Sequence, residues 1–101
     1  MAVNHIVCFK FNDEASPEDI ARHMEMFAAL AGAVPGMLSY SAGKSFDVLY
    51  EATADYDSVH CLTCESEQVL ESYFHHEAHQ EFMARNKHIW RDVFVINAQL
   101  D

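Results

Sequence analysis

The sequence predicts an α+β fold, a ferredoxin-like βαββαβ subunit, and three features carry that prediction. Four segments show strand character, the clearest of them alternating apolar and polar residues from the second position onward, the period of a sheet with one buried face. Two amphipathic helical segments fall between the first and second strands and between the third and fourth. The 101 residues suffice for one core and not for two, so residues 1–101 are expected to form a single domain. Both helices then cover one face of an antiparallel sheet. Nothing in the chain is left to cover the other face, and a second copy packed sheet to sheet, a homodimeric α+β barrel, is the expected solution.

The first strand spans residues 2–11, with Val3, His5, Val7, Phe9 and Phe11 on one face and Asn4, Cys8 and Lys10 on the other. Asn12 to Ala15 break the pattern. Ser16 is a good N-cap, Pro17 suits the first helical position, and Glu18 and Asp19 oppose the helix dipole. Ile20, Met24, Phe27 and Ala31 follow at helical spacing, Gly32 is the expected stop, and Pro35-Gly36 turns the chain. Met37 to Lys44 reads as the second strand, with Leu38, Tyr40 and Ala42 on one face. Ser45 to Asp57, including Leu49 and Tyr50, reads as a long hairpin connection, and Ser58 to Glu65 as the third strand. Ser66 caps a short helix carrying Val69, Leu70, Tyr73 and Phe74. This helix is expected to break or bend near His75-His76 and to resume through His79, Phe82, Met83, Asn86, Ile89 and Trp90, before a last strand from Val93 to Leu100.

Six Lys and Arg stand against 16 Asp and Glu, a net charge of −10 with neutral histidines. Such a surface repels nucleic-acid phosphates and anionic membranes, so neither is an expected partner. No apolar run approaches the ~20 residues needed to span a bilayer. The opening Met-Ala-Val-Asn-His lacks the basic and apolar regions of a secretory signal, and a cytoplasmic location is expected. Three cysteines argue against a disulfide framework. Cys61 and Cys64 have C-x-x-C spacing, but residues three apart on a strand point to opposite faces and cannot share a metal. Buried, inert thiols are the expectation.

Three histidines and a tyrosine crowd into Tyr73–His79. Histidine is the side chain that most readily exchanges a proton near neutrality. His5 lies on the apolar face of its strand and His79 shares a helical stripe with Phe82 and Ile89, so both are expected to face inward. Each is either a core residue satisfied by one hydrogen bond or half of an acid–base pair whose burial keeps it neutral. Tyr73 is either a core aromatic or a donor to a developing oxyanion. Phe9, Met24, Phe27 and Trp90 would line a ligand cavity or simply fill the core. His75 and His79 are four apart, a chelating spacing only in an unbroken helix, and no third ligand is evident; no metal and no cofactor is expected. His76 is expected to be exposed near Glu77, and His23, His60 and His88 to lie at the surface or an edge.

The motifs His5-Ile6-Val7-Cys8-Phe9-Lys10-Phe11, Val34-Pro35-Gly36-Met37, Thr63-x-Glu65-Ser66 and Tyr73-x-x-His76-x-Ala78-His79-x-x-Phe82 occur in this order. Over about residues 2–100 the chain resembles the stress-responsive dimeric α/β barrel (Dabb) family, and is similar to its olivetolic acid cyclase-type polyketide cyclases. The resemblance implies a homodimeric barrel with a hydrophobic pocket between helices and sheet. It also implies acid–base residues at His5, Tyr73 and His79, for intramolecular aldol closure of a linear poly-β-keto thioester. His79 would remove a proton next to a carbonyl, His5 would hold or relay it, and Tyr73 would stabilise the enolate. A further tyrosine of those cyclases is Phe27 here, and a usual proline is Glu77. The alternative is a non-enzymatic, stress-responsive structural or small-ligand-binding dimer, with a monooxygenase or isomerase on the related scaffold as a third reading.

Overall fold

The computed structural model describes residues 1–48 and 51–101, so Leu49 and Tyr50 of the expected connection lie outside the described residues. The elements are β1 (Val3–Phe11), α1 (Pro17–Ala33), β2 (Met37–Lys44), β3 (Ser58–Cys64), α2 (Glu67–His75), α3 (Glu77–Asn86) and β4 (Trp90–Gln99), with a 3-10 turn at Lys87–Ile89 before β4. The ferredoxin-like α+β architecture is therefore the one expected. The strands form one antiparallel sheet in the order β2-β3-β1-β4.

The register follows from the alternation of β1. Val3, His5, Val7 and Phe9 are buried, and they pair with Cys64, Leu62, His60 and Ser58 of β3, each also buried. Phe9, Phe27, Leu30, Leu62, Tyr73 and Phe82 join α1, α2 and α3 to this face. The opposite face carries Ile6 and Cys8, which pair with Ile96 and Phe94 of β4, and Ile96 and Phe94 remain 51% and 46% exposed in the single chain.

Local chemistry sets the helix ends. Ser16 Oγ accepts from the Asp19 amide while Asp19 Oδ2 accepts from the Ser16 amide, a reciprocal capping box worth on the order of 1 kcal/mol. Ser66 caps α2 through the Val69 amide. The expected break between α2 and α3 falls on His76, whose extended backbone (φ −64°, ψ 142°) ends one helix and starts the next.

Several expectations are corrected. Helix α1 does not stop at Gly32 but runs to Ala33; Gly32 has open space around it, and the Pro35-Gly36 turn does the terminating. Gly36 adopts φ +92°, and a Cβ there would lie 2.7 Å from Val69 Cγ2, so glycine is required both for the turn and for the close approach of α2. A bulge between Met37 and Ser39 takes Leu38 off the Tyr40 face, leaving it exposed. Trp90 is not helical but opens β4, three residues ahead of the expected start, because Phe11 pairs with it and the Asn12 amide donates to the Ile89 carbonyl just before it. His23 and His60 are fully buried rather than at the surface. His23 sits among the rings of Phe9, Phe11, Phe82 and Trp90. His60 stacks on Phe27 and reaches Tyr40 and Ser58 through its two nitrogens. Strand alternation and helical phase, read strictly, put both inside; their polarity disguised it. His76 is half-buried as the α3 cap, its Nδ1 accepting from the Ala78 amide.

Candidate functional site

The site is built where β1, the edge strand β4 and the α2–α3 break meet. Alternation along β1 directs His5 to the helix face, between Leu62 of β3 and Asn97 of β4. Its Nδ1 lies 2.6 Å from Asn97 Oδ1. Tyr73 comes from the last turn of α2 and His79 from the first turn of α3. The centroids of the His5 and Tyr73 rings are 5.5 Å apart and those of Tyr73 and His79 are 4.7 Å apart, both edge to face. The two imidazoles thus flank one phenol, with His5 and His79 each 9% exposed and Tyr73 1%.

These groups border a partly enclosed cavity of about 490 Å³, whose walls include Val7, Phe9, Phe27, Phe82 and Trp90. Of the four residues expected to line a ligand cavity, Phe9, Phe27 and Trp90 do so here. Met24 does not. One turn closer to the start of α1 than Phe27, it faces a separate cleft of about 630 Å³ that it shares with Phe11, Lys10 and Arg91.

Electrostatics keep the site uncharged near neutrality. Burial lowers the pKa of His5, partly offset by its hydrogen bond to Asn97. Burial also lowers that of His79, a charge on His5 lowers it further, and the Phe74 carbonyl partly offsets both. Protonation of one ring therefore opposes protonation of the other. Burial raises the Tyr73 pKa, so the phenol remains a hydrogen-bond donor. His79 Nδ1 is buried without a protein partner among the described residues, a costly state for a polar atom unless a ligand or solvent meets it.

The cluster's other histidines stand apart. His75 is exposed at the end of α2, and the break at His76 separates it from buried His79. Among the described residues, no group of three or more His, Cys, Asp or Glu side chains could hold a metal ion. Cys61 is half-buried and pairs with Ile6 on the uncovered face, whereas Cys64 is buried on the helix face. Sequence reasoning missed Asn97. The alternation Val93, Val95, Asn97 was the available signal, since these three line the cavity, but an asparagine near a strand end carries no mark of its own.

The family model for the stress responsive A/B barrel domain (Dabb) matches residues 3–99. The chain belongs to the Dabb family. Among solved structures, this Dabb protein is similar to the At3g17210 protein of Arabidopsis thaliana, with 26% identity and a TM-score of 0.87, covering 98% of this chain and 95% of that one. A dimeric ferredoxin-like protein of unknown function from Thermobifida fusca is 23% identical with a TM-score of 0.83, over 99% of this chain and 92% of that one. The hydroxynitrile lyase of Passiflora edulis is 20% identical with a TM-score of 0.87, over 99% and 94% of the two chains. At these last two identities the likeness is one of fold. No curated protein shows significant sequence similarity to the chain. No helix among the described residues is long and apolar enough to cross a membrane.

Proposed function

We propose that this Dabb protein is a cofactor-independent acid–base catalyst that takes a small apolar, ketide-like molecule into the His5–Tyr73–His79 cavity and promotes intramolecular aldol chemistry of the polyketide-cyclase kind. The observation that carries the reading is the convergence of two imidazoles and one phenol on the border of an apolar cavity, where burial lowers the pKa of both imidazoles. Proton removal next to a carbonyl needs a neutral base, a donor for the enolate oxygen and a water-poor surrounding. His79 takes the proton, the Tyr73 hydroxyl donates to the oxygen as charge develops there, and His5 holds or relays the proton. The new carbon–carbon bond forms when the enolate carbon attacks a second carbonyl of the same chain, whose oxygen recovers a proton from the imidazolium. A similar fold occurs in an enzyme, the hydroxynitrile lyase of Passiflora edulis.

The working unit is a homodimer. Ile6, Cys8, Phe94 and Ile96 make an apolar sheet face without a cover in the single chain, and similar folds are described as dimeric. Three free cysteines suit a reducing compartment such as the cytoplasm. The test is incubation of the protein with a linear tetraketide thioester and detection of the cyclised product. Ring formation above the spontaneous rate supports the cyclase reading; saturable binding without ring formation favours a small-ligand holder.

A further inference from the structure

Asn97 faces His5 across the β1–β4 ladder, and the 2.6 Å separation between its Oδ1 and His5 Nδ1 is, among the described residues, the one side-chain hydrogen bond to an imidazole of the cavity. A neutral imidazole exists as two tautomers, and a lone pair is available at a given nitrogen in only one of them. An amide oxygen accepts and cannot donate, so a hydrogen bond to it requires the proton on Nδ1. His79 offers the contrast: its Nδ1 has no partner among the described residues, and the group that acts on its ring is a backbone carbonyl, that of Phe74, and not a side chain. We propose that Asn97 is a positioning residue that holds His5 as the Nδ1–H tautomer and so leaves Nε2 as the nitrogen able to accept a proton.

The proposal rests on the acid–base reading for its purpose, but its content is a property of the ring alone. It refines the division of labour in the cavity. A ring that donates at Nδ1 accepts a proton at Nε2 and keeps its hydrogen bond when charged, so it is suited to receive a proton and return it without moving. The direction in which this hydrogen bond moves the His5 pKa, upward against burial, agrees with an acceptor at Nδ1, because an acceptor favours the doubly protonated ring.

Imidazole nitrogen spectroscopy of the uniformly ¹⁵N-labelled protein at pH 8 tests the assignment. Native His5 should show a pyrrole-type Nδ1 and a pyridine-type Nε2. Asn97→Ala should release the ring to the Nε2–H tautomer that a free histidine side chain favours and lower the His5 pKa, while the His79 signals keep their tautomer. Asn97→Asp should retain the Nδ1–H form and raise the His5 pKa. A native ring protonated at Nε2, which would mean that the amide donates to Nδ1, overturns the proposal; so does an Asn97→Ala variant with an unchanged His5 tautomer. Lack of turnover on any substrate counts against the acid–base reading and leaves this result standing.

Discussion

The His23 and His60 rings stand 5.8 Å apart in the core, yet only His60 has partners. Tyr40 and Ser58 engage its two nitrogens at 3.0 and 3.1 Å, whereas both nitrogens of His23 are buried without any among the described residues. Burial, and then a charge on His60, drives the His23 pKa down to about 3. Burial alone takes His60 to about 4.

Acid should therefore unfold the protein. Both folded-state values lie below the ~6.5 of an unfolded histidine, so the unfolded chain binds protons that the folded chain refuses. Stability is fully present above pH ~6.5 and falls as pH drops toward the folded values, by roughly 1.4 kcal/mol per pH unit for each histidine. Urea midpoints at pH 7.5, 5.5 and 4.5 should decline steeply. His23→Leu should reduce that slope by one histidine's share, roughly 1.4 kcal/mol per pH unit, while His60 and the also depressed His5 and His79 keep the rest. A midpoint that holds steady down to pH 4.5 would contradict this.

Replacing His79 tests the base. His79→Ala should cut ring closure on the order of a hundredfold while the melting temperature moves only a few degrees, because the packing lost against Tyr73 is offset by removal of a buried nitrogen that has no partner among the described residues. Turnover equal to that of the native protein would remove His79 from the mechanism.

The Gly36 turn should not tolerate a side chain. Gly36→Ala places a methyl group 2.7 Å from Val69 Cγ2 at φ +92°, a backbone conformation that costs a non-glycine residue about 1–3 kcal/mol. Denaturant titration should read at least that loss. Adding Val69→Ala should relieve the clash but not the dihedral cost, so rescue is partial; a neutral Gly36→Ala would refute the argument.

The uncovered sheet face should set the assembly. Ile96 is 51% exposed in the single chain, so Ile96→Glu should leave the subunit folded and shift it from dimer to monomer in sedimentation, with the helical circular dichroism retained. A dimer that survives the substitution would place the interface elsewhere.

Much of this fold was legible because local signals agreed with one another. Ser16-Pro17 and Ser66 start helices where they should, and the β1 alternation assigns both faces of the sheet. The histidines were harder. Polarity points His23 and His60 to the surface although both lie on buried phases, whereas the apolar neighbours of His5 and His79 mark those two as inward-facing. The Met37–Ser39 bulge and the strand start at Trp90 depend on pairing partners distant in sequence, which no window of local pattern contains. For the site, His5, Tyr73 and His79 could be proposed from one end of the chain to the other, but Asn97 acquires meaning only through the register of β4 on β1. Helical spacing groups Met24 with Phe27, but it fixes direction around the axis and not position along it.

The extended His76 between α2 and α3 has one more effect. In an unbroken helix the six steps from Tyr73 to His79 would rotate the second side chain by about 240° from the first, so both could not border one space. Restarting the helix uncouples the two phases. Side chains that one straight rod would aim in opposing directions thereby reach the same hollow, Tyr73 from the end of one segment and His79 from the start of the next.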